Sequence, residues 1–193
     1  MATLTITTSG ITSPSATTQG FWGSGNTKPP TSGGNFLNGN TEFTTAQYTA
    51  ASAADGSFVS PSFSSDTYSG IKCEFFVPSA NRTITQIDFG MKGIGNDGYT
   101  DAYGWTLYIR NNATPAWESI ASTSSSANTS LTGTKTTSLS NYVDSNFRIQ
   151  IMMMNNGFDS NGSFPVSQLD YAYATITYTP SAVTFTPWIT WIN

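Results

Sequence analysis

Runs in which every second residue is apolar recur along this sequence, and they constrain the fold more than any other feature. Residues 71–77 place Ile71, Cys73, Phe75 and Val77 at alternate positions. The same spacing recurs in three later sets: Ile87, Phe89 and Met91; Trp105, Leu107 and Ile109; and Phe147, Ile149, Ile151 and Met153. Because successive side chains of a strand point to opposite faces, this spacing predicts strands with one buried face. No window holds the 3.6-residue apolar period of an amphipathic helix.

Turn-forming residues separate these runs. Asp55-Gly56, Asn96-Asp97-Gly98, Asn156-Gly157 and Asn161-Gly162 supply the positive φ angles that tight turns need. Many short strands joined by such turns predict an all-β fold, an antiparallel β-sandwich of the jelly-roll type. In the last run, residues 169–178, the sequence leaves open which face is buried. One face carries Ala172, Ala174, Ile176 and Tyr178, and the other carries Tyr171, Tyr173, Thr175 and Thr177.

The distribution of Pro, Gly, Ser and Thr divides the chain into three parts. Residues 1–35 are rich in these residues and predict an extended N-terminal arm outside the core, although residues 3–7 can pair as one short strand. Residues 36–180 form the predicted sandwich domain. Within the arm, Phe21 and Trp22 make an apolar island that anchors the arm either on its own domain or on a partner.

Residues 181–193, called the tail below, are unusually apolar. The side chains concerned are Phe185, Trp188, Ile189, Trp191 and Ile192. Aromatic side chains left in water favour aggregation, so we expect the tail to be covered. It either folds back on its own sandwich or docks on a neighbouring subunit as an added strand, and we favour the neighbour.

Charged residues are scarce, at 9% of the chain, with a formal net charge of −4. The few Lys and Arg residues are scattered, which argues against nucleic-acid binding. A surface with little charge repulsion favours assembly, although a neutral, hydrated Ser/Thr surface explains the composition equally well. No apolar stretch is long enough for a membrane span, and no secretion signal is recognisable, which predicts synthesis in a cytoplasm. Cys73 is the only cysteine and is expected to be buried.

Catalytic chemistry finds little support in the sequence. The chain has no histidine, which removes the commonest general base and metal ligand, and no nucleotide-binding motif is present. We therefore expect no enzyme activity and no cofactor. Paired carboxylates for glycoside hydrolysis remain conceivable among Glu74, Asp88, Asp144 and Asp170. Asp97, Asp101 and Asp159 are weak candidates for a calcium site, but ordinary turns account better for their loops.

Aromatic residues beside the turns raise a different possibility. Tyr99, Tyr103 and Phe158 lie in or next to loops, where aromatic rings of sandwich proteins stack on sugars. Packing at the edge of the core is the more common role of such rings. Glycan binding is therefore an alternative rather than the first hypothesis.

Three stretches, read in order, carry a resemblance to a known group of proteins. They are an Asp55-Gly56 turn within residues 53–59; residues 75–78 (Phe-Phe-Val-Pro) followed by the strand 83–89; and Tyr142-Val143-Asp144 followed by 169–178. Together, over roughly residues 50–178, they resemble jelly-roll virion proteins of tailed bacteriophages and, more loosely, carbohydrate-binding jelly rolls of bacterial surface proteins. The resemblance implies a fold more than a function.

The resemblance and the apolar ends together lead to a functional hypothesis. We expect a phage virion structural protein located in the virion, most readily a capsid-decoration protein and less readily a component of the phage tail. Its partners would be other copies of itself and virion proteins such as the major capsid protein. The alternatives are a carbohydrate-binding attachment module and a non-viral surface-layer or adhesive subunit.

Overall fold

A computed structural model of the chain describes residues 1–25, 27–30, 38–63, 67–78, 82–96, 104–157 and 166–180. Within these residues the fold is almost entirely β, and two antiparallel sheets pack as a sandwich. The elements in chain order are β1 (Ala2–Thr7), β2 (Gln19–Gly25), β3 (Asn38–Glu42), α1 (Thr45–Ala50), β4 (Tyr68–Phe76), β5 (Arg82–Asn96), β6 (Trp105–Asn111), β7 (Ala116–Thr123), β8 (Thr129–Lys135), a one-turn 3-10 helix (Leu139–Asn141), β9 (Arg148–Asn155) and β10 (Val166–Pro180).

The two sheets have different widths. One is four-stranded in the order β1-β10-β5-β8, and the other is six-stranded in the order β3-β2-β4-β9-β6-β7. The alternation correctly predicts the core-facing side of β4, β5, β6 and β9, but the other side of β4 and β6 is buried as well. The side chains that it places in the core are buried: Ile71, Cys73, Phe75, Ile87, Phe89, Met91, Trp105, Leu107, Ile109, Ile149, Ile151 and Met153.

The structure shows which face of β10 is buried, a question that the sequence left open. Ala172, Ala174 and Ile176 are fully buried in the core. Tyr171 and Tyr173 lie on the outer face of the four-stranded sheet, where their rings stack with centroids 5.8 Å apart. The small side chains therefore face the opposite sheet, and the large ones cover the outside.

The N-terminal segment differs from the expected arm. Its strand β1 pairs with β10 from Ala2↔Tyr178 to Thr7↔Tyr173, so the short strand predicted there is present. Its strand β2 lies inside the six-stranded sheet, between β3 and β4. Gly20 of β2 lies against Phe43, where a Cβ would come within 2.4 Å of the ring. This close packing requires glycine, and a glycine-rich strand shows little alternation in its sequence.

One short helix interrupts the β structure, although the sequence showed no helical period. Helix α1 begins with a capping box, in which the Thr44 side chain accepts from the backbone N–H of Gln47 and the Gln47 side chain accepts from the backbone N–H of Thr44. Its six residues are too few to display a period. Tyr48 is its buried residue, and the Tyr48 hydroxyl donates to Glu42 Oε1 at 2.8 Å.

The prediction that Phe147 continues the buried face of β9 is wrong. Strand β9 begins at Arg148, and Phe147 is 47% exposed with a φ of 58°. Asp144 explains this, because its Oδ1 accepts from the backbone N–H groups of Asn146 and Arg148, both at 2.8 Å. The resulting turn directs Phe147 away from the core.

Candidate functional site

The strand register defines two ends of the sandwich. At one end, which we call the tail end, β10 finishes with Pro180 opposite Arg82, and β4 finishes with Phe76 opposite Arg148. At the other, which we call the loop end, Asn96 is opposite Val166 and Trp105 is opposite Asn155. The segments that carry most of the predicted site residues leave from these two ends.

An apolar groove with a volume of about 290 Å³ lies at the tail end. It is lined by Val77, Pro78, Ile84, Leu139, Ser140, Val143 and Phe147. Apart from Ser140, these side chains are apolar and carry no hydrogen-bonding group. The groove is therefore suited to aliphatic or aromatic groups rather than to a charged or strongly polar ligand.

Several elements hold the groove in place. The backbone N–H of Val77 donates to the carbonyl of Phe147 at 2.7 Å, which ties the end of β4 to the turn before β9. The backbone N–H of Asn112 donates to the carbonyl of Asn141 at 2.7 Å, which fixes the 3-10 helix against β6. Ile84, Leu139 and Val143 are partly buried and pack on the core cluster. The groove is thus a rigid extension of the core that opens to solvent.

Phe147 is the least favourable residue of the groove for the isolated chain. Its large ring is half exposed, and its left-handed backbone costs about 1–2 kcal/mol for a residue with a Cβ. Backbone strain of this kind is concentrated at functional positions. Sequence analysis missed the groove, because its members come from four separate segments. Phe147 itself had been assigned to the core.

The predicted tail residues lie outside the described residues, but the place where the tail begins is defined. Tyr178 is paired with Ile84, a groove residue, and Pro180 is paired with Arg82. Phe185, Trp188, Ile189, Trp191 and Ile192 follow in the next thirteen residues. An unusually apolar segment of the chain therefore starts close to an apolar groove of the described residues.

Phe21 and Trp22, the apolar island of the predicted arm, both contact their own sandwich. Trp22 packs on the core, and its ring meets Phe63 edge-on at 5.9 Å. Phe21 lies on the outer face of the six-stranded sheet, where Lys72 Nζ is 4.7 Å from the centre of its ring. The structure thus accounts for both residues without a partner.

That outer face carries a second apolar cluster, which sequence analysis also missed. Tyr108, Trp117, Met152 and Met154 are buried there, with Phe21 and Tyr68 packed against them. The run Met152-Met153-Met154 carries the signal for it, because it is apolar at every position and not at alternate ones. The six-stranded sheet is therefore apolar on both faces.

The loop end is where the glycan and calcium candidates begin, although the residues themselves lie outside the described part. Residues 97–103 contain Tyr99, Tyr103, Asp97 and Asp101, and residues 158–165 contain Phe158 and Asp159. Both segments start from the loop end, since their flanking strands are paired there. Asn155 links these flanks: its side-chain amide donates to the carbonyl of Asn96, at 3.2 Å, and to that of Gly157, at 2.6 Å.

A lysine with an unusual environment also lies at the loop end. Lys28 Nζ donates to Asn156 Oδ1 at 2.5 Å, and Thr106 Oγ1 donates to the same oxygen at 2.8 Å. Burial lowers the pKa of Lys28 from 10.5 to about 8. Lys72, Lys92 and Lys135 each form an ion pair with a carboxylate, whereas within the described residues Lys28 contacts no carboxylate.

The carboxylates considered for catalysis are engaged by donors of the fold. Glu74 pairs with Lys72 at 2.6 Å and with Arg148 at 2.8 Å. Asp170 pairs with Lys92 at 2.7 Å, and Asp88 accepts from Thr134 at 2.7 Å. Within the described ranges, no three His, Cys, Asp or Glu side chains are grouped to hold a metal ion. These contacts give each of the three carboxylates a structural role in the fold.

Cys73 is buried in the core, as predicted. Burial, with a smaller contribution from the neighbouring Glu74, raises the pKa of its thiol to about 12. A thiol in this state is a poor nucleophile.

Comparison with known proteins identifies a family for most of the chain. Residues 31–180 match a family model described as "Uncharacterized protein, C-terminal domain". No curated protein and no solved structure matches the chain. Among the described residues, no helix is long and apolar enough to span a membrane.

Proposed function

We propose that this chain, which belongs to the AF_1625_C family, is a non-enzymatic structural subunit that assembles with other copies of itself. The observation that carries the proposal is the apolar groove at the tail end, with Phe147 half exposed at its rim. Burying such a surface releases about 25 cal/mol per Å² of apolar area. A protein that works alone gains nothing from leaving it open.

The charge pattern supports assembly. With 9% charged residues, copies of the chain repel one another weakly. Three of the four ion pairs found among the described residues include a largely buried carboxylate or lysine. Much of the small charge complement is therefore used inside the fold and does not keep neighbouring copies apart.

We further propose that the sandwich is a jelly roll. When the hairpin-like addition of β2 and β3 is set aside, the remaining strands are ordered β1-β10-β5-β8 in one sheet and β4-β9-β6-β7 in the other. Numbered consecutively, these eight strands run 1-8-3-6 and 2-7-4-5, as expected for two interlocked Greek keys. This order supports the jelly-roll fold that the sequence resemblance implies.

A virion surface is the setting that we propose for the assembly, with the chain as a capsid-decoration protein and a capsid protein as the second partner. The support for this setting is the resemblance over residues 50–178 together with the apolar tail. A non-viral surface-layer subunit uses the same physical contacts, so the location must be tested separately from the assembly.

The assembly is tested by measuring the molar mass of the full chain by light scattering over a range of concentrations. We expect a defined oligomer. In Phe147→Asp, the new aspartate tolerates the left-handed conformation at this position but places a charge in the groove. This variant should be a monomer. Ser130→Asp adds the same charge at an exposed position of β8 and should leave the mass unchanged. A full chain that stays monomeric at all concentrations contradicts the proposal.

Glycan binding is the second candidate function, favoured by the register at the loop end. The two segments that contain Tyr99, Tyr103 and Phe158 start side by side there. If rings from both stack on one sugar, replacing each by Ala should abolish retention on a glycan array. The molar mass should stay the same. If the unaltered chain is not retained on the glycan array, glycan binding is ruled out as its function.

A further inference from the structure

We infer that the groove at the tail end receives the tail of a second copy of this chain, and that two copies exchange their tails reciprocally. This inference rests on the proposed assembly and specifies its partner and its contact. Three features of the molecule support it: the chemistry of the groove, the place where the tail begins and the length of the tail.

The chemistry of the two surfaces is complementary. The groove is lined by aliphatic side chains and one aromatic ring, with Ser140 as its polar member. The tail contains three aromatic and two isoleucine side chains within eight residues and no charged side chain. A charged peptide or a polar ligand would find no partner in this groove, whereas the tail would lose its exposed apolar surface there.

The length of the tail favours the groove of a partner over its own. Pro180 pairs with Arg82 of β5, two residues from the groove residue Ile84, so the last paired residue before the tail is roughly 8 Å from its own groove. Trp188 lies eight residues further on, a distance of about 26–29 Å for extended chain. If the exchange that we infer is correct, a tail that continues in the direction of β10 would place its tryptophans beyond its own groove, within reach of the groove of a second copy.

The proposed dimer is symmetric because the groove and the start of the tail lie at the same end of the sandwich. A two-fold axis passing beside the tail end places the groove of each copy in front of the other copy's tail. Both contacts are then made at once and are identical, which gives a closed dimer rather than an open chain. Each contact holds the other at high effective concentration.

Engineered disulfides test the exchange, because Cys73 is buried and does not interfere. Ser140→Cys places a thiol in the groove with little change in size, and Thr190→Cys places one between the apolar residues of the tail. The two variants are prepared as separate full-length chains, mixed and oxidised. We expect a disulfide-linked mixed dimer, identified by mass spectrometry. The control pairs Thr190→Cys with Ser130→Cys, an exposed position outside the groove, and should give at most a trace.

A chain that carries both Ser140→Cys and Thr190→Cys separates the possible occupants. Exchange predicts a covalent dimer with two disulfides between chains. A monomer with an internal disulfide means that the tail occupies its own groove, and this overturns the inference. An oligomer by light scattering without any groove-to-tail disulfide also overturns it but leaves the proposed assembly standing. A chain that is monomeric before oxidation contradicts both.

Discussion

Tyr178 of β10 lies directly opposite Ile84 of β5, and Ile84 lines the apolar groove. This pairing joins the two features on which the functional account depends, since the tail begins three residues after Tyr178. It also restricts the account to one end of the sandwich. The glycan alternative concerns the opposite end, so substitutions can test the two functions independently.

Substitution of Phe147 should affect folding and association differently. Phe147→Asn relieves a left-handed conformation that costs about 1–2 kcal/mol, which offsets the lost packing of a half-buried ring. We therefore expect a change in the free energy of unfolding of no more than about 1 kcal/mol. Association should weaken at least tenfold. Denaturant titration at a concentration where the chain is monomeric and sedimentation at higher concentration measure the two effects.

Ser138 provides the matched control, because it has a φ of 52° and is exposed outside the groove lining. Ser138→Gly should raise the free energy of unfolding by about 0.5–1 kcal/mol through the same relief of strain. It should not change the dissociation constant. If Phe147→Asn behaves like Ser138→Gly in both measurements, the ring of Phe147 plays no part in assembly.

Lys28 should make stability depend on pH in the alkaline range. Its pKa is about 8 in the folded chain and near 10.5 in the unfolded chain, so between these values the unfolded chain binds more protons. The free energy of unfolding should therefore rise with pH across this range, and below pH 8 the full cost of burying the ammonium is present. Lys28→Gln keeps a hydrogen-bond donor for Asn156 but does not titrate.

The measurement is the difference in the free energy of unfolding between Lys28→Gln and the unaltered chain, taken from pH 7 to 9.5. We expect the variant to be the more stable at pH 7 and its advantage to shrink as pH rises. Taking this difference removes the contribution of any group that titrates identically in both proteins. A difference that is constant with pH would show that the amine of Lys28 is not desolvated.

Asp170 should contribute to stability at neutral pH and lose that contribution in acid. Burial alone would raise its pKa, but hydrogen bonds from Lys92, Asn128 and the backbone N–H of Gly56 outweigh burial and lower it. Its contribution is therefore complete above the unfolded pKa of 3.8 and disappears as pH falls through the lower folded value.

The variant Asp170→Asn leaves Lys92 without its carboxylate. Because Asp170 is fully buried and Lys92 is 26% exposed, we expect a loss of about 2–3 kcal/mol at pH 7. Thermal or denaturant unfolding measures it, and the difference from the unaltered chain should narrow below pH 4. Asp88→Asn, in which the carboxylate is less buried, should cost under about 1 kcal/mol. Equal losses for the two variants would contradict the role given to burial.

The sandwich could be predicted because apolar side chains such as Ile87 and Trp105 alternate with polar ones, and local sequence shows this directly. Burial of the outer face of the six-stranded sheet did not follow from that alternation, because polar side chains such as Arg110 are buried there. Strand β2 was missed, because close packing of Gly20 on Phe43 required glycine where an alternating strand would have an apolar side chain. Helix α1 was missed because its six residues are shorter than two turns, although Thr44 and Gln47 carry a capping signal.

The groove could not be predicted, for a different reason. Its side chains come from the end of β4, from β5, from the 3-10 helix and from the turn before β9, and only folding brings them together. Phe147 shows the limit most clearly. Its spacing from Ile149 fits a strand, but the turn held by the hydrogen bonds of Asp144 makes the strand begin one residue later, at Arg148.

The molar mass of the chain with and without residues 181–193, measured by sedimentation equilibrium at equal concentrations, tests most directly whether the tail holds the copies together. We predict that the full chain is a dimer and that the chain ending at Pro180 is a monomer with an unchanged far-ultraviolet circular dichroism spectrum. A folded chain ending at Pro180 that keeps the mass of the full chain would contradict the account, because assembly would then proceed without the tail.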